Sequence, residues 1–247
     1  MVFAAGLGTR LRPLTDSLPK ALVPVAGKPL LWHVLGRLRS AGFGEVVVNV
    51  HHFGDQIIGY LRDNPDFADL EIRISDEREA LLDTGGGLLK ARPLLEGGEN
   101  GRFLVHNVDI FSNADLEALW TDVRPDAVAT LVVSERPTSR YLLFDGDMRL
   151  CGWTNVATGE VRSPYGRDLD LSSCRRFAFA GMHVLSDRLF PLFGDYGFDG
   201  AFPVMDFYLR ICADHPVYGV APEGMSLLDV GKTASLPEAE RFLAAGN

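Results

Sequence analysis

Apolar positions in the first half of the chain fall into short runs that alternate with stretches of helical spacing. Val2–Ala5 is an apolar run closed by Gly6, and it reads as a buried strand. Leu30, Leu31, Val34, Leu35 and Leu38 recur at helical spacing, with Pro29 at the start and Gly42 at the end. Glu45–Val50 (EVVVNV), Leu70–Ser75, Arg102–His106 and Ala127–Ser134 read as further strands. Gly54–Arg62, Gly86–Leu95 and Asp115–Trp120 read as the helices between them. This alternation predicts an α/β fold, a mostly parallel sheet covered on both faces.

After residue 135 the rhythm changes. Arg140–Asp145, Met148–Trp153 and Glu160–Arg162 read as short hairpin strands, with Asp-Gly-Asp and Thr-Gly turns between them. Phe177–Leu185 is a longer strand and Phe202–Ala213 a helix. Val217–Val220 and Ser226–Val230 return to strand, and Ser235–Ala244 closes as a helix. The expected organisation is one domain over 1–247, with a small antiparallel insert beside the sheet.

Composition narrows the function classes. With 247 residues, 47% hydrophobic and 23% charged, the chain can build a core without disulfides. Its net charge of −9 argues against general nucleic-acid binding, which needs a basic face. No apolar stretch is long enough to span a membrane, and Met1–Ala5 is too short for a signal peptide. The expected location is cytoplasmic. Cys151, Cys174 and Cys212 show no metal spacing and read as buried reduced thiols.

Against this acidic background, residues 9–20 (TRLRPLTDSLPK) are locally basic: Arg10, Arg12 and Lys20 face one acid, Asp16. They follow Ala5-Gly6-Leu7-Gly8-Thr9 at the end of the first strand, where open α/β sheets bind ligands. Two glycines let backbone amides approach phosphate oxygens closely. The spacing is neither that of a P-loop nor that of a dinucleotide fingerprint. Asp109 and Asp229 each end an apolar run, a placement that suits Mg²⁺, which takes one or two carboxylates plus phosphates and water.

Phe3 through Thr15, with Pro19-Lys20-Ala21-Leu22-Val23-Pro24-Val25 and Lys28-Pro29-Leu30, resembles the signature of the sugar-phosphate nucleotidyltransferases. The resemblance implies a Rossmann-like (GT-A-like) fold and a Mg²⁺-dependent condensation of a nucleoside triphosphate with a sugar 1-phosphate, releasing pyrophosphate. It implies that Arg10 and Lys20 are catalytic, on the β/γ-phosphates and at the α-phosphorus. It places the nucleotide on Ala5, Gly6, Leu7, Gly8 and Thr9, with Asn49, His51, Gly85 and Gly86 toward the base. Asp109 and Asp229 would be the metal ligands, although Val108 stands where the family commonly has glycine. The expected sugar contacts are Asn107, Arg140, Trp153, Asn155 and Gly181, with Trp153 equally readable as core. Residues 1–134 form the expected nucleotide half and 135–247 the sugar half.

The short bacterial branch is the nearest pattern: uridylyltransferases for N-acetylmuramate 1-phosphate and guanylyltransferases for mannose or heptose 1-phosphate. The family's Glu-Lys-Pro sugar element is not evident over 134–162. Rival readings are a GT-A glycosyltransferase using Asp145-Gly146-Asp147 as a D-x-D metal motif, a non-catalytic nucleotide-sugar sensor, and a phosphocholine cytidylyltransferase. The first leaves Arg10 and Lys20 unexplained. The expected assembly is a monomer or small homo-oligomer, with no nucleic-acid or membrane partner.

Overall fold

The computed structural model describes residues 1–246. Strand β1 (Val2–Phe3) lies between two longer neighbours and leads into the glycine loop. A two-stranded ribbon, β2 (Pro24–Val25) and β3 (Lys28–Pro29), precedes α1 (Leu30–Ser40). β4 (Glu45–Val50), α2 (Gly54–Asp63), β5 (Glu71–Asp76), α3 (Asp83–Leu95), β6 (Arg102–Asn107), β7 (Ile110–Ser112), α4 (Leu116–Thr121) and β8 (Ala129–Ser134) follow. The second half holds β9 (Arg140–Phe144), β10 (Leu150–Asn155), β11 (Glu160–Arg162), β12 (Arg175–Ser186), α5 (Leu189–Asp195), α6 (Val204–Ile211), β13 (Val217–Val220), β14 (Leu227–Asp229) and α7 (Leu236–Ala244).

The main sheet is mixed and flanked by helices on both faces. β6, β1, β4 and β5 are parallel neighbours, and β13 pairs parallel with β8. β12 runs antiparallel to β6, β8 and β9. The hairpin β9–β10–β11 therefore extends this same sheet from β12. It does not sit beside the sheet, as the rhythm of the sequence suggested.

The strand pleat divides the core. Val46, Val48 and Val50 of β4 join one apolar cluster with Leu31, Leu35, Ile57 and Ala239, while Val47 joins the other with Leu88, Phe193 and Phe207. Each such side chain withdrawn fully from water contributes about 1.5–3 kcal/mol. α1 buries its five predicted apolar positions and ends as expected at Gly42, whose φ is +86°. There Gly42 N–H donates to Arg39 O and Phe43 N–H to Leu38 O, the paired bonds of a Schellman stop.

Three differences from the sequence reading have identifiable causes. β1 stops at Phe3 because the amides of Ala4 and Ala5 turn away to a side-chain oxygen of Asn49. α3 begins at Asp83 and takes Gly85, Gly86 and Gly87 inside the helix. α5, interrupted in sequence by Pro191 and Gly194, was not predicted; burial of Leu189, Phe190 and Phe193 holds it. Cys151 and Cys212 are buried and Cys174 is half-buried, all three free. No helix of the described residues is long and apolar enough to cross a membrane.

Candidate active site

Four neighbouring parallel strands deliver their following residues to one edge of the sheet. Ala4–Thr9 leave β1, Asn49–His51 end β4, Glu77 follows β5, and Asn107–Asp109 follow β6. This carboxyl edge is where open α/β sheets bind ligands.

The glycine loop is fixed from below and from the side. Asn49, almost fully buried, accepts both Ala4 N–H (2.7 Å) and Ala5 N–H (3.2 Å) on Oδ1. Its Nδ2 donates to Glu77 Oε1 at 2.7 Å. Thr15 Oγ donates to Gly8 O at 2.8 Å. Gly8 has φ +65°, and a Cβ there would lie 2.9 Å from Thr15 Cγ2 and 3.0 Å from Lys20 Cβ. Only glycine combines that conformation with that closeness. Gly6, Leu7 and Thr9 stay exposed.

The basic segment then folds back onto the acids. Lys20 Nζ is hydrogen-bonded and ion-paired to Asp109 Oδ2, with side-chain exposures of 14% and 11%. So little water reaches the pair that removing either partner would strand a charge, at a cost of about 3–5 kcal/mol. Val230 N–H donates to Asp109 O at 2.8 Å, and the antiparallel pair β14–β7 sets Asp229 opposite Ile110. Residues 109 and 229, far apart in sequence, thus become neighbours. Asp229 Oδ1 accepts Gly231 N–H at 2.8 Å. Arg10 completes the group, because a Cβ at Gly231 would overlap its guanidinium and Asp229 Oδ1 alike.

This donor set fits a hard divalent cation that shares its ligands with phosphate. Asp109 Oδ1 and Asp229 Oδ2 make no hydrogen bond among the described residues. No cluster of three or more His, Cys, Asp or Glu side chains among them forms a complete metal cage. Two carboxylates leave the remaining positions to substrate and water, as Mg²⁺ sites commonly do.

Glu77 is the residue the sequence reading missed. It is fully buried, its Oε2 has no partner, and burial raises its pKa above the usual carboxylate range. A Cβ at Gly87 would lie 2.8 Å from Glu77 Oε1, so the third glycine makes room for it. The signal was available: an acid directly after a strand, as with Asp109. His51 Nδ1 is 2.6 Å from Glu77 O, which fixes the ring at the same corner.

Gly85 and Gly86 also have a packing role. Both amides donate to Phe202 O, at 2.8 and 3.3 Å. A Cβ at Gly85 would overlap the Phe202 ring, and one at Gly86 the carbonyl of Gly200. These glycines let α3 pack against the segment ahead of α6.

Among the expected sugar residues, Gly181 and Asn107 come together. Gly181 sits at φ +73° where the β12–β8 register breaks, and a Cβ there would lie 3.0 Å from Asn107 Nδ2 and 2.7 Å from Ile110 Cγ1. Arg140 and Asn155 are cross-strand partners in the hairpin. Asn155 Oδ1 accepts Ala157 N–H at 3.0 Å to shape the turn. Trp153 is half-buried against the second core cluster, with Arg162 5.9 Å above its ring. No hydrogen bond or ion pair among the described residues joins these three to the Lys20–Asp109–Asp229 group. Asp145 accepts Asp147 N–H and Arg149 N–H, each at 2.9 Å, so the Asp-Gly-Asp stretch is a turn and not a metal motif. Burial holds His106 neutral, its pKa lowered to about 4, and leaves none of its ring exposed.

The profile of the family described as "Nucleotidyl transferase" matches residues 1–144. The chain belongs to that family. An N-acetylmuramate alpha-1-phosphate uridylyltransferase of Caulobacter vibrioides is 38% identical over 99% of this chain and 96% of its own length. The enzyme of the same name from Neisseria meningitidis serogroup B is 34% identical over 99% of this chain and 98% of its own length. Among solved structures, HddC from Yersinia pseudotuberculosis superposes with a TM-score of 0.74 at 21% identity, covering 98% of this chain and 97% of that one. A UDP-glucose pyrophosphorylase from Acinetobacter baumanii gives 0.77 at 16%, covering 100% and 93%. At those identities the structural likeness speaks for the Rossmann-like fold alone.

Proposed function

We propose that the protein transfers a uridylyl group from UTP to N-acetylmuramate 1-phosphate, forming the nucleotide sugar and releasing pyrophosphate. The observation that carries this reading is the convergence of Arg10, Lys20, Asp109 and Asp229 beside a glycine loop held by Asn49 and Thr15. The two relatives that match nearly end to end support the choice of sugar and base.

An oxygen of the sugar phosphate attacks the α-phosphorus in line; the bond to pyrophosphate breaks, and no side chain becomes a covalent nucleophile. Arg10 holds the β/γ-phosphates, and Lys20, released from Asp109 or sharing it, neutralises charge at the α-phosphorus. The backbone of Ala5, Gly6, Leu7, Gly8 and Thr9 cradles the nucleotide. Asn49 and His51 shape the base corner, and Gly85 and Gly86 bound it. Asp109 and Asp229 hold Mg²⁺, which when bound neutralises phosphate charge and orients the reacting oxygens. Asn107, Gly181, Arg140, Trp153 and Asn155 line the sugar side.

In this reading one domain does the work, residues 1–134 holding nucleotide and 135–247 sugar, in the cytoplasm and without nucleic-acid or membrane partners. Purified protein with Mg²⁺ is expected to release pyrophosphate only when UTP and the sugar phosphate are both present. No release across UTP, GTP, CTP and dTTP with a panel of sugar 1-phosphates sinks the reading.

A further inference from the structure

Arg136, at the same edge of the sheet, forms no ion pair among the described residues. Arg136 follows the carboxyl end of β8, half-buried. Its Nη2 donates to Phe179 O at 3.3 Å, two residues before Gly181, whose α-carbon faces Asn107. Its Nε–H is buried and donates to nothing. Arg37 and Arg149, comparably covered, each bond two oxygens: Ser112 Oγ and Ala114 O for the first, Cys212 O and Ala213 O for the second, although Arg149 shares the unpartnered Nε–H. Arg136 makes one such bond, and it forms no ion pair among the described residues. A guanidinium keeps its charge throughout the working pH range, so its unused N–H fork is a standing site for an anion.

The segment that carries Arg136 is itself held in place. Thr138 N–H donates to Tyr141 Oη at 3.0 Å, and Val156 N–H to Ser139 O at 2.8 Å. Arg140, exposed at the start of β9 and likewise without an ion pair among the described residues, adds a second positive charge to this side. In the reading above, the nucleotide phosphates have Arg10 and Lys20. A further anion on the β8–β12 side belongs to the other substrate.

We propose that Arg136 binds a carboxylate carried by the sugar, so that the acceptor is an acidic sugar 1-phosphate and Arg136 selects it over its neutral counterpart. This rests on the nucleotidyltransferase reading above. The Nη1–H and the remaining Nη2–H group at the end of the guanidinium, not the covered Nε–H, match the two oxygens of a carboxylate. N-acetylmuramate differs from N-acetylglucosamine by a lactyl ether that bears a carboxylate, so the two 1-phosphates isolate that group.

The test is the ratio of kcat/KM for N-acetylmuramate 1-phosphate to that for N-acetylglucosamine 1-phosphate, measured by pyrophosphate release with UTP. Arg136→Gln is expected to lower this ratio about 30-fold or more, mainly through KM for the acidic sugar, with KM for UTP unchanged. Arg136→Lys, which keeps the charge but loses the fork, is expected to fall between. An unchanged ratio in both variants overturns the assignment. So does an equal loss on both sugars, which would make Arg136 a support for the β12 register break. If Arg136→Gln fails to fold, as read by its melting curve, an unchanged ratio in Arg136→Lys overturns it. A wild type that releases no pyrophosphate with any pair of substrates overturns the nucleotidyltransferase reading and this one together.

Discussion

The edge formed by β1, β4 and β6 and the hairpin β9–β10–β11 belong to one sheet, yet they are built on different logic. At the first edge, key candidates are held by partners distant in sequence: Asn49 by Ala4, Ala5 and Glu77, and Lys20 by Asp109, while the Arg10 guanidinium and Asp229 both crowd Gly231. In the hairpin the candidate sugar residues are held locally or not at all: Asn155 bonds its own turn, and Arg140 is exposed without an ion pair among the described residues; the long-range tie there is made by Arg162, which pairs with Asp206 at 2.7 Å. A site whose ligand is always the same phosphate chemistry gains from rigid, pre-paid geometry. A site that must discriminate among sugars gains from side chains that can change without disturbing the fold.

The predictions set these two regions against each other. Lys20→Ala and Asp109→Ala are each expected to lower kcat by at least about 100-fold in a pyrophosphate-release assay, because each removes charge stabilisation at the reacting phosphate. Near wild-type rates would break the comparison at its strongest point. Next in size is a packing effect. Gly86→Ala is expected to destabilise the protein by about 2–3 kcal/mol in urea unfolding, since its Cβ has no room against Gly200 O, whereas Gly159→Ala in the hairpin turn meets no atoms within 4 Å and costs only the strain of φ +74°. Equal losses would erase the contrast.

A third prediction concerns pH. His183 is buried neutral, its pKa lowered by burial to about 3, and its Nδ1 is 2.8 Å from Tyr208 Oη. The unfolded chain binds this proton below about pH 6.5 and the folded one does not, so the stability is full above that pH and is lost as pH falls. From pH 7 to pH 5 His183 accounts for a loss of about 2 kcal/mol and His106 adds a loss of the same sense, so His183→Gln is expected to reduce the slope of urea midpoint against pH without abolishing it. The smallest effect is reserved for the hairpin. Asn155→Ala is expected to raise KM for the sugar phosphate about threefold and leave KM for UTP and the melting temperature in place. A large fall in stability would show that the hairpin is as tightly coupled as the phosphate edge.

The phosphate edge was legible in sequence because its requirements are local and sharply typed. Glycines at a strand end, a basic run in an acidic chain, and two acids closing apolar runs each carry their own physical signal. Most strands and helices were equally plain, since pleat and helix periods write themselves into the order of apolar residues. The glycine run at 85–87 shows the limit of such signals. The resemblance places Gly85 and Gly86 toward the base, and nothing in the sequence says that the run lies inside α3, where Phe202, Gly200 and Glu77 crowd it. Those partners are brought there by folding, and no local pattern announces them.

The sequence alone therefore determined the alternation of strands and helices, the stop of α1 at Gly42, and the chemical types gathered for phosphate and metal. Only the tertiary structure decided that Asp109 meets Lys20 and Asp229, that Glu77 anchors Asn49, that the hairpin extends the main sheet, and that Arg136 has no anion partner among the described residues. The reason is the range of the forces. Turn geometry and hydrophobic period act over a few residues, whereas ion pairs and steric exclusion between strands depend on register across the sheet, which is fixed only when the whole core closes.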